Sequence, residues 1–326
     1  MNLFLTSGCN ERCAFCYAET YFQRPVEPNR PEALAKLLGH LRTWGALVRD
    51  ADARGDMPRQ WEPDHDEETR TLFSSRTVNL LGGEPTIHPQ FEAIVREVAA
   101  LGLGAIVFTN ASMPGKIAAV REHLWTVVVN GHFADRAPAL PLEPHRIHAN
   151  LPIQPGHDVV AALEKVHAAG IRTVYLAFAT PAGAKPGTYY TPEDLPAMQA
   201  AHRAASAFCR ERGIFLAYDC SFPVCVDEAV LQTKCSSVPV MDPDGFVTIC
   251  GGEYFHEGGK RHVSTFASLR EVHAYTFRLI AGLRGWASRF DVCNACEHFN
   301  ARCHGMCLAF RVAPSPVGRR LPVHAT

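Results

Sequence analysis

Six short β-prone runs alternate with stretches of helical spacing through the first two thirds of the chain, and no other feature narrows the fold as far. The runs cover residues 3–7, 77–81, 105–110, 125–130, 146–153 and 173–179. Residues 91–101 repeat their apolar positions at helical spacing. Residues 159–169 do the same and stop at Gly170, the residue type expected just past a helix end. Thr191-Pro192-Glu193-Asp194 opens a further helix that continues to about Arg212. Strands alternating with helices predict parallel βα units, and six of them fit an α/β class. The rhythm stops after residue 213, where Cys, Gly and His become frequent, so a domain boundary is expected near 213–220. Residues 46–76 are charged and hold Gly55, Pro58 and Pro63; they read as an inserted loop. The tail from 312 contains Pro and Arg and reads as loosely ordered. The expected division is therefore 1–213, 214–311 and a tail at 312–326.

The 12 cysteines are unevenly placed: three precede residue 17, nine follow residue 208, and none lies between. The start of the chain has no basic region or cleavage site, and no apolar run reaches the ~18 residues of a membrane span. A cytoplasmic location is expected, and there clustered thiols read as metal ligands rather than disulfides. Hydrophobic residues make up 47% of the chain, enough for a sizeable core. The formal net charge of −1 argues against a broad nucleic-acid footprint.

Cys9, Cys13 and Cys16 are spaced C-x3-C-x2-C on a loop after the first strand. Three thiolates so close can hold three corners of a cubane cluster and leave one iron open. A structural zinc site would be closed by four ligands; zinc with a distant fourth ligand is the competing reading. The motif, its position and Phe15-Cys16-Tyr17 resemble the radical S-adenosylmethionine (SAM) superfamily. That resemblance implies a partial (β/α)6 TIM-like barrel with a small cysteine-rich C-terminal domain. It also implies a [4Fe–4S] cluster whose open iron binds the amino and carboxylate groups of SAM. Reductive cleavage then yields a 5′-deoxyadenosyl radical that abstracts a substrate hydrogen. Phe15 would lie near the adenine.

Gly82-Gly83-Glu84-Pro85 follows the second run. Glycines there let the backbone approach a ligand, and Glu84 can accept from a cationic amine; an ordinary turn is the bland alternative. In the resembled family the equivalent motif binds the cofactor's amino group. Thr109-Asn110 resembles a recurring family element at the third strand end. Val128 stands where many relatives carry a serine, so Asn130 or Asn150 is expected to serve in its place. All these residues sit at strand ends, where barrel active sites form.

The C-terminal cysteines resemble the SPASM extension of radical enzymes. Cys235, Gly245 and Cys250 match its first half; Cys293, Cys296, Cys303 and Cys307 match the second with one extra residue before Cys303 and no final cysteine. The resemblance implies one or two auxiliary [4Fe–4S] clusters: one on Cys235, Cys250, Cys307 and either Cys220 or Cys225, the other on Cys293, Cys296, Cys303 and an unassigned fourth ligand. The shorter twitch version would use only Cys235, Cys250, Cys293 and Cys296. Cys209 lies in a helical pattern and reads as a small buried hydrophobe. Of the 16 histidines, only His298 and His304 fall inside the cysteine cluster.

Such clusters let a substrate radical be oxidised, giving a cross-link or a dehydrogenation. A ribosomally made peptide is the first expected substrate and a small-molecule natural-product intermediate the second. A non-catalytic electron-transfer protein is the alternative of another class. The chain begins at the first strand with no leader-binding domain before it, so a separate leader-binding protein is the expected partner of a peptide substrate. A cellular reductant such as flavodoxin or ferredoxin is expected too; no membrane or nucleic-acid partner is. Tyr218-Asp219 supplies a candidate general base, a turn or cap being the alternative for Asp219.

Overall fold

The computed structural model of the chain describes residues 1–16, 31–57, 75–179, 187–219, 222–230, 238–249 and 260–306, with backbone alone at 283–284 and 311–312. All six β-prone runs are strands: β1 (Asn2–Thr6), β2 (Thr77–Gly82), β3 (Gly104–Thr109), β4 (Leu124–Asn130), β5 (Ile147–Ile153) and β6 (Thr173–Phe178). A seventh, β7 (Phe215–Tyr218), follows, and each pairs in parallel with the next. On the other side of β1 lie β8 (Pro239–Met241), β9 (Phe246–Ile249) and β10 (Arg261–His262); β8 is parallel to β1, β9 antiparallel to β8 and β10 antiparallel to β9. The order is β10-β9-β8-β1-β2-β3-β4-β5-β6-β7, so among the described residues β7 and β10 are the edges and the sheet is an incomplete barrel. The sheet thus crosses the boundary expected near 213–220. Its late strands are short, two to four residues each, and carry too little periodicity to be read in sequence.

Helices cover the outer face: α1 (Pro31–Ala53), α2 (Phe91–Ala100), α3 (Pro114–Ala118), α4 (Val159–Ala168), α5 (Leu195–Arg212) and α6 (Leu269–Arg284), with the short α7 (Asp291–Asn294) beyond. Residues 46–53, expected in an inserted loop, continue α1. Leu37, Leu41, Trp44 and Val48 recur every three or four residues and are buried, while Arg49, Asp50 and Asp52 keep to the exposed face. Each buried aliphatic side chain there stabilises the fold by about 1.5–3 kcal/mol, which outweighs the charge that suggested a loop. Residues 58–74 of the expected loop lie outside the described residues. Between β4 and β5 the connection is 3-10 (Gly131–Ala139) rather than α, since Pro138 lies inside it and Phe133 departs from helical angles. Val312, expected at the start of the loose tail, lies in β12 (Arg311–Val312), which pairs with β11 (Ala287–Ser288).

The main core lies between sheet and helices. A separate small cluster of Ile106, Phe108, Val128, Tyr175 and Ala217 packs on the inner face of the sheet. Among the described residues, no helix is long and apolar enough to cross a membrane.

Candidate active site

The loop carrying Cys9, Cys13 and Cys16 is shaped by the strand end beside it. Gly83 N–H donates to the Thr6 carbonyl and Glu84 N–H to the Gly8 carbonyl, both at 2.8 Å. Gly82 has φ +153°, and a Cβ there would stand 2.5 Å from the Thr6 oxygen. A Cβ on Gly83 would fall 1.8 Å from the Gly8 oxygen and 3.0 Å from the Cys9 Cβ. The glycines expected to admit a ligand therefore first admit the chain's own cysteine loop.

Glu84 is 1% exposed, and its carboxylate is turned onto the chain itself. Its Oε1 accepts from Thr86 N–H at 3.1 Å, Thr86 Oγ1 at 2.5 Å and Thr109 Oγ1 at 2.6 Å. Its Oε2 accepts from Asn110 N–H at 2.6 Å. Its buried carboxylate thus ties the end of β2 to the end of β3. Ala111, next along, adopts φ +57°, a left-handed conformation uncommon for a residue with a Cβ.

The far side of the cysteine loop is tied down as well. Asn110 Nδ2 donates to Asn10 Oδ1, and Asn10 Nδ2 donates to Ser112 Oγ, each at 2.8 Å. Arg136 pairs with Glu11 at 2.8 Å, donates to the Asn110 carbonyl at 3.2 Å and lies 4.3 Å from the centre of the Phe133 ring. Sequence reading missed Asn10, Glu11, Ser112 and Arg136. Asn10 and Glu11 sit within the motif itself, whereas nothing in the sequence linked Arg136 to it.

Within the loop, Cys16 N–H donates to the Cys13 carbonyl at 3.1 Å and Glu11 N–H reaches Cys9 Sγ at 3.4 Å. The Cys13 thiol is pushed up to about 11, first by burial and then by Cys9 beside it. Cys9 is raised as well, again first by burial: the residue is exposed by area, but its sulfur is shielded by the loop. Such thiols are protonated until a metal's charge reverses that balance. Cys13 senses Cys9, and Cys16 is held to Cys13 through the backbone; three thiolates on one anchored loop fit three corners of a cluster. Among the described residues no three His, Cys, Asp or Glu side chains are drawn together as a single-ion site would need.

Phe15 packs on His132 with ring centres 4.6 Å apart, and His132 meets His157 at 4.9 Å. The His132 backbone N–H donates to Asn130 Oδ1 at 3.1 Å, and burial lowers the ring's pKa. Asn130 lies opposite Asn150 in register, and Asn150 Nδ2 donates to Asp219 Oδ2 at 2.7 Å. Asn130 and Asp219 thus stand at the ends of β4 and β7, Asn150 midway along β5 reaches Asp219, and Phe15 packs on His132 just past β4. Val128 belongs to the inner apolar cluster and offers no polar contact.

Cys225, Cys293, Cys296 and Cys303 line one pocket, with His298 on its wall. The Cys225 thiol is raised to about 11, first by burial and then by Cys303, Cys293 and Cys296. His304 is buried nearby in sequence, and Cys209 is buried in α5, its thiol also raised to about 11 by burial. Cys220, Cys235, Cys250, Cys307 and Tyr17 lie outside the described residues.

Residues 3–181 match the Radical SAM superfamily. Similar solved structures include SuiB of Streptococcus suis bound to S-adenosylmethionine, at 14% identity and TM-score 0.60, covering 94% of this chain and 72% of that one. SuiB bound to the precursor peptide SuiA is similar at 14% identity and TM-score 0.61, covering 94% and 71%. These likenesses are of fold. No curated protein matches the chain. The superfamily match takes in more than half of the 326 residues, and the strand ends inside it carry the cysteine loop: the chain belongs to the radical S-adenosylmethionine superfamily.

Proposed function

We propose that this radical SAM enzyme carries out an oxidative modification, a cross-link or a dehydrogenation, on a ribosomally made peptide. The observation that carries the reading is the clamp of Gly82, Gly83 and Glu84 on the loop of Cys9, Cys13 and Cys16. When bound, a [4Fe–4S] cluster and SAM supply a 5′-deoxyadenosyl radical. In this reading Cys9, Cys13 and Cys16 hold the cluster, and the backbone from Gly82 to Pro85 accepts from the amino group of SAM. Glu84 holds that backbone in place rather than binding the amine itself. Phe15, backed by His132, flanks the adenine, and Thr109, Asn110 and Asn130 line the rest of the pocket. Asp219, held by Asn150, is placed to accept a proton at the inner strand ends.

Support for a peptide substrate is the fold shared with SuiB, whose structure holds the precursor peptide SuiA. We further propose that the segment from about 214 to 311 is a SPASM-type region holding auxiliary clusters, and that a flavodoxin or ferredoxin delivers electrons. The test is co-expression with short peptides encoded beside the gene, followed by mass spectrometry. A peptide lighter by two hydrogens, only when Cys9, Cys13 and Cys16 are intact, is expected. Unmodified peptides together with SAM-dependent oxidation of a small molecule would sink the peptide reading.

A further inference from the structure

We infer that Cys225, Cys293, Cys296 and Cys303 together hold one iron–sulfur cluster, with Cys225 as the fourth ligand. The inference rests on the auxiliary-cluster reading above and changes its ligand assignment. The family resemblance grouped Cys225 or Cys220 with Cys235, Cys250 and Cys307 and left the other set one thiolate short. The cavity supplies the missing thiolate from upstream in the chain, where the resembled pattern places it after Cys307.

The cavity is constructed from three anchored pieces. Cys225 lies on the turn after β7, and its carbonyl accepts from Gln199 Nε2 of α5 at 2.9 Å. Cys293 lies in α7 with Cys296 just beyond. Asn294 holds this piece by accepting from Ser288 N–H at 2.7 Å and donating to the Ser288 carbonyl at 2.9 Å. Cys303 sits in a tight turn, its N–H donating to the His298 carbonyl at 2.9 Å and the Gly305 N–H reaching its Sγ at 3.3 Å. That turn needs Gly305: φ is +67°, and a Cβ there would stand 2.8 Å from the Phe299 ring. An N–H aimed at a sulfur suits a thiolate bound to iron.

The chemistry of the wall chooses between ligands. Besides the four cysteines it presents Leu195, Met198, Val224, Phe299 and Met306, with no carboxylate. That excludes a hard cation. A zinc ion at ~2.3 Å from each sulfur would draw the sulfurs to about 3.8 Å of one another. Zinc binds without sulfide, so labile sulfide is the readout that separates it from an iron–sulfur cluster. Four thiols around one otherwise apolar pocket suit a body held by thiolates alone, with its ligands on the outside, as a cubane has.

The test uses the full chain with Cys9, Cys13 and Cys16 changed to alanine, so that only auxiliary iron remains. It is reconstituted anaerobically with ferrous iron and sulfide. Adding Cys225→Ala is expected to remove about four irons and four sulfides per chain, or to leave a three-iron cluster with its own paramagnetic signal when oxidised. Cys225→Ser should keep most of the iron with a changed spectrum, and His298→Ala should change neither. Unaltered iron and spectrum in Cys225→Ala overturn the assignment, as does loss of the cluster in His298→Ala alone. If the starting variant takes up iron but Cys225 is indifferent, the assignment falls and the auxiliary reading stands. If it takes up none, or takes zinc without sulfide, both fall.

Discussion

At the scale of single residues, the site rests on contacts within the chain. Glu84 accepts four hydrogen bonds while buried, so Glu84→Gln turns an amide N–H₂ toward donors and leaves at least one unpaired. A loss of about 2 kcal/mol in unfolding free energy is expected by denaturant titration. Gly83→Ala places a methyl inside the Gly8 carbonyl, which forces the cysteine loop away from β2. It should cost about 3 kcal/mol and cut reconstituted N-terminal iron at least tenfold, with helix content by circular dichroism preserved. The cysteines and the Gly-Gly-Glu-Pro run were legible because their spacing is local. Glu84's true partners were not: Thr109 and Asn110 stand 25 and 26 residues away, and only the β2–β3 pairing joins them. Arg136 was hidden for the same reason.

At the scale of elements, the six expected strands were legible because each is a run of β-branched or apolar residues bounded by turn signals. The start of the expected loop at 46 was misread because charge on one face of α1 masked the apolar stripe on the other. The C-terminal helix α6 carries a pH-sensitive contact. His273, half-buried there, meets Ser75 Oγ at 3.1 Å just before β2. Its pKa is lowered to about 4, first by burial and then by the amino group of Met1. The fold therefore holds His273 neutral where the unfolded chain, near its ordinary 6.5, takes up a proton. Stability is undiminished above about 6.5 and falls as pH drops toward 4, then levels. Discounted for partial exposure, the loss is on the order of 2 kcal/mol. His273→Gln should remove that part of the slope in unfolding free energy between pH 6.5 and 4; a slope unchanged from the parent would count against it.

At the scale of the whole molecule, one open sheet joins the barrel to the segment after it. β7 extends one edge and β8 to β10 the other, so the expected boundary near 213–220 falls inside continuous hydrogen bonding. That continuity was illegible because β8 pairs with β1 across more than two hundred residues and leaves no local pattern. The inner strand ends and the cysteine loop face the same mouth, which is where the chemistry of the superfamily belongs. The central claim is that Cys9, Cys13 and Cys16 form the site at which SAM is cleaved. It is tested most directly by incubating the anaerobically reconstituted chain with SAM and dithionite and quantifying 5′-deoxyadenosine. Release is predicted from the intact chain and at least a hundredfold less from Cys13→Ala; no release from a chain whose N-terminal cluster is spectroscopically intact would contradict the claim.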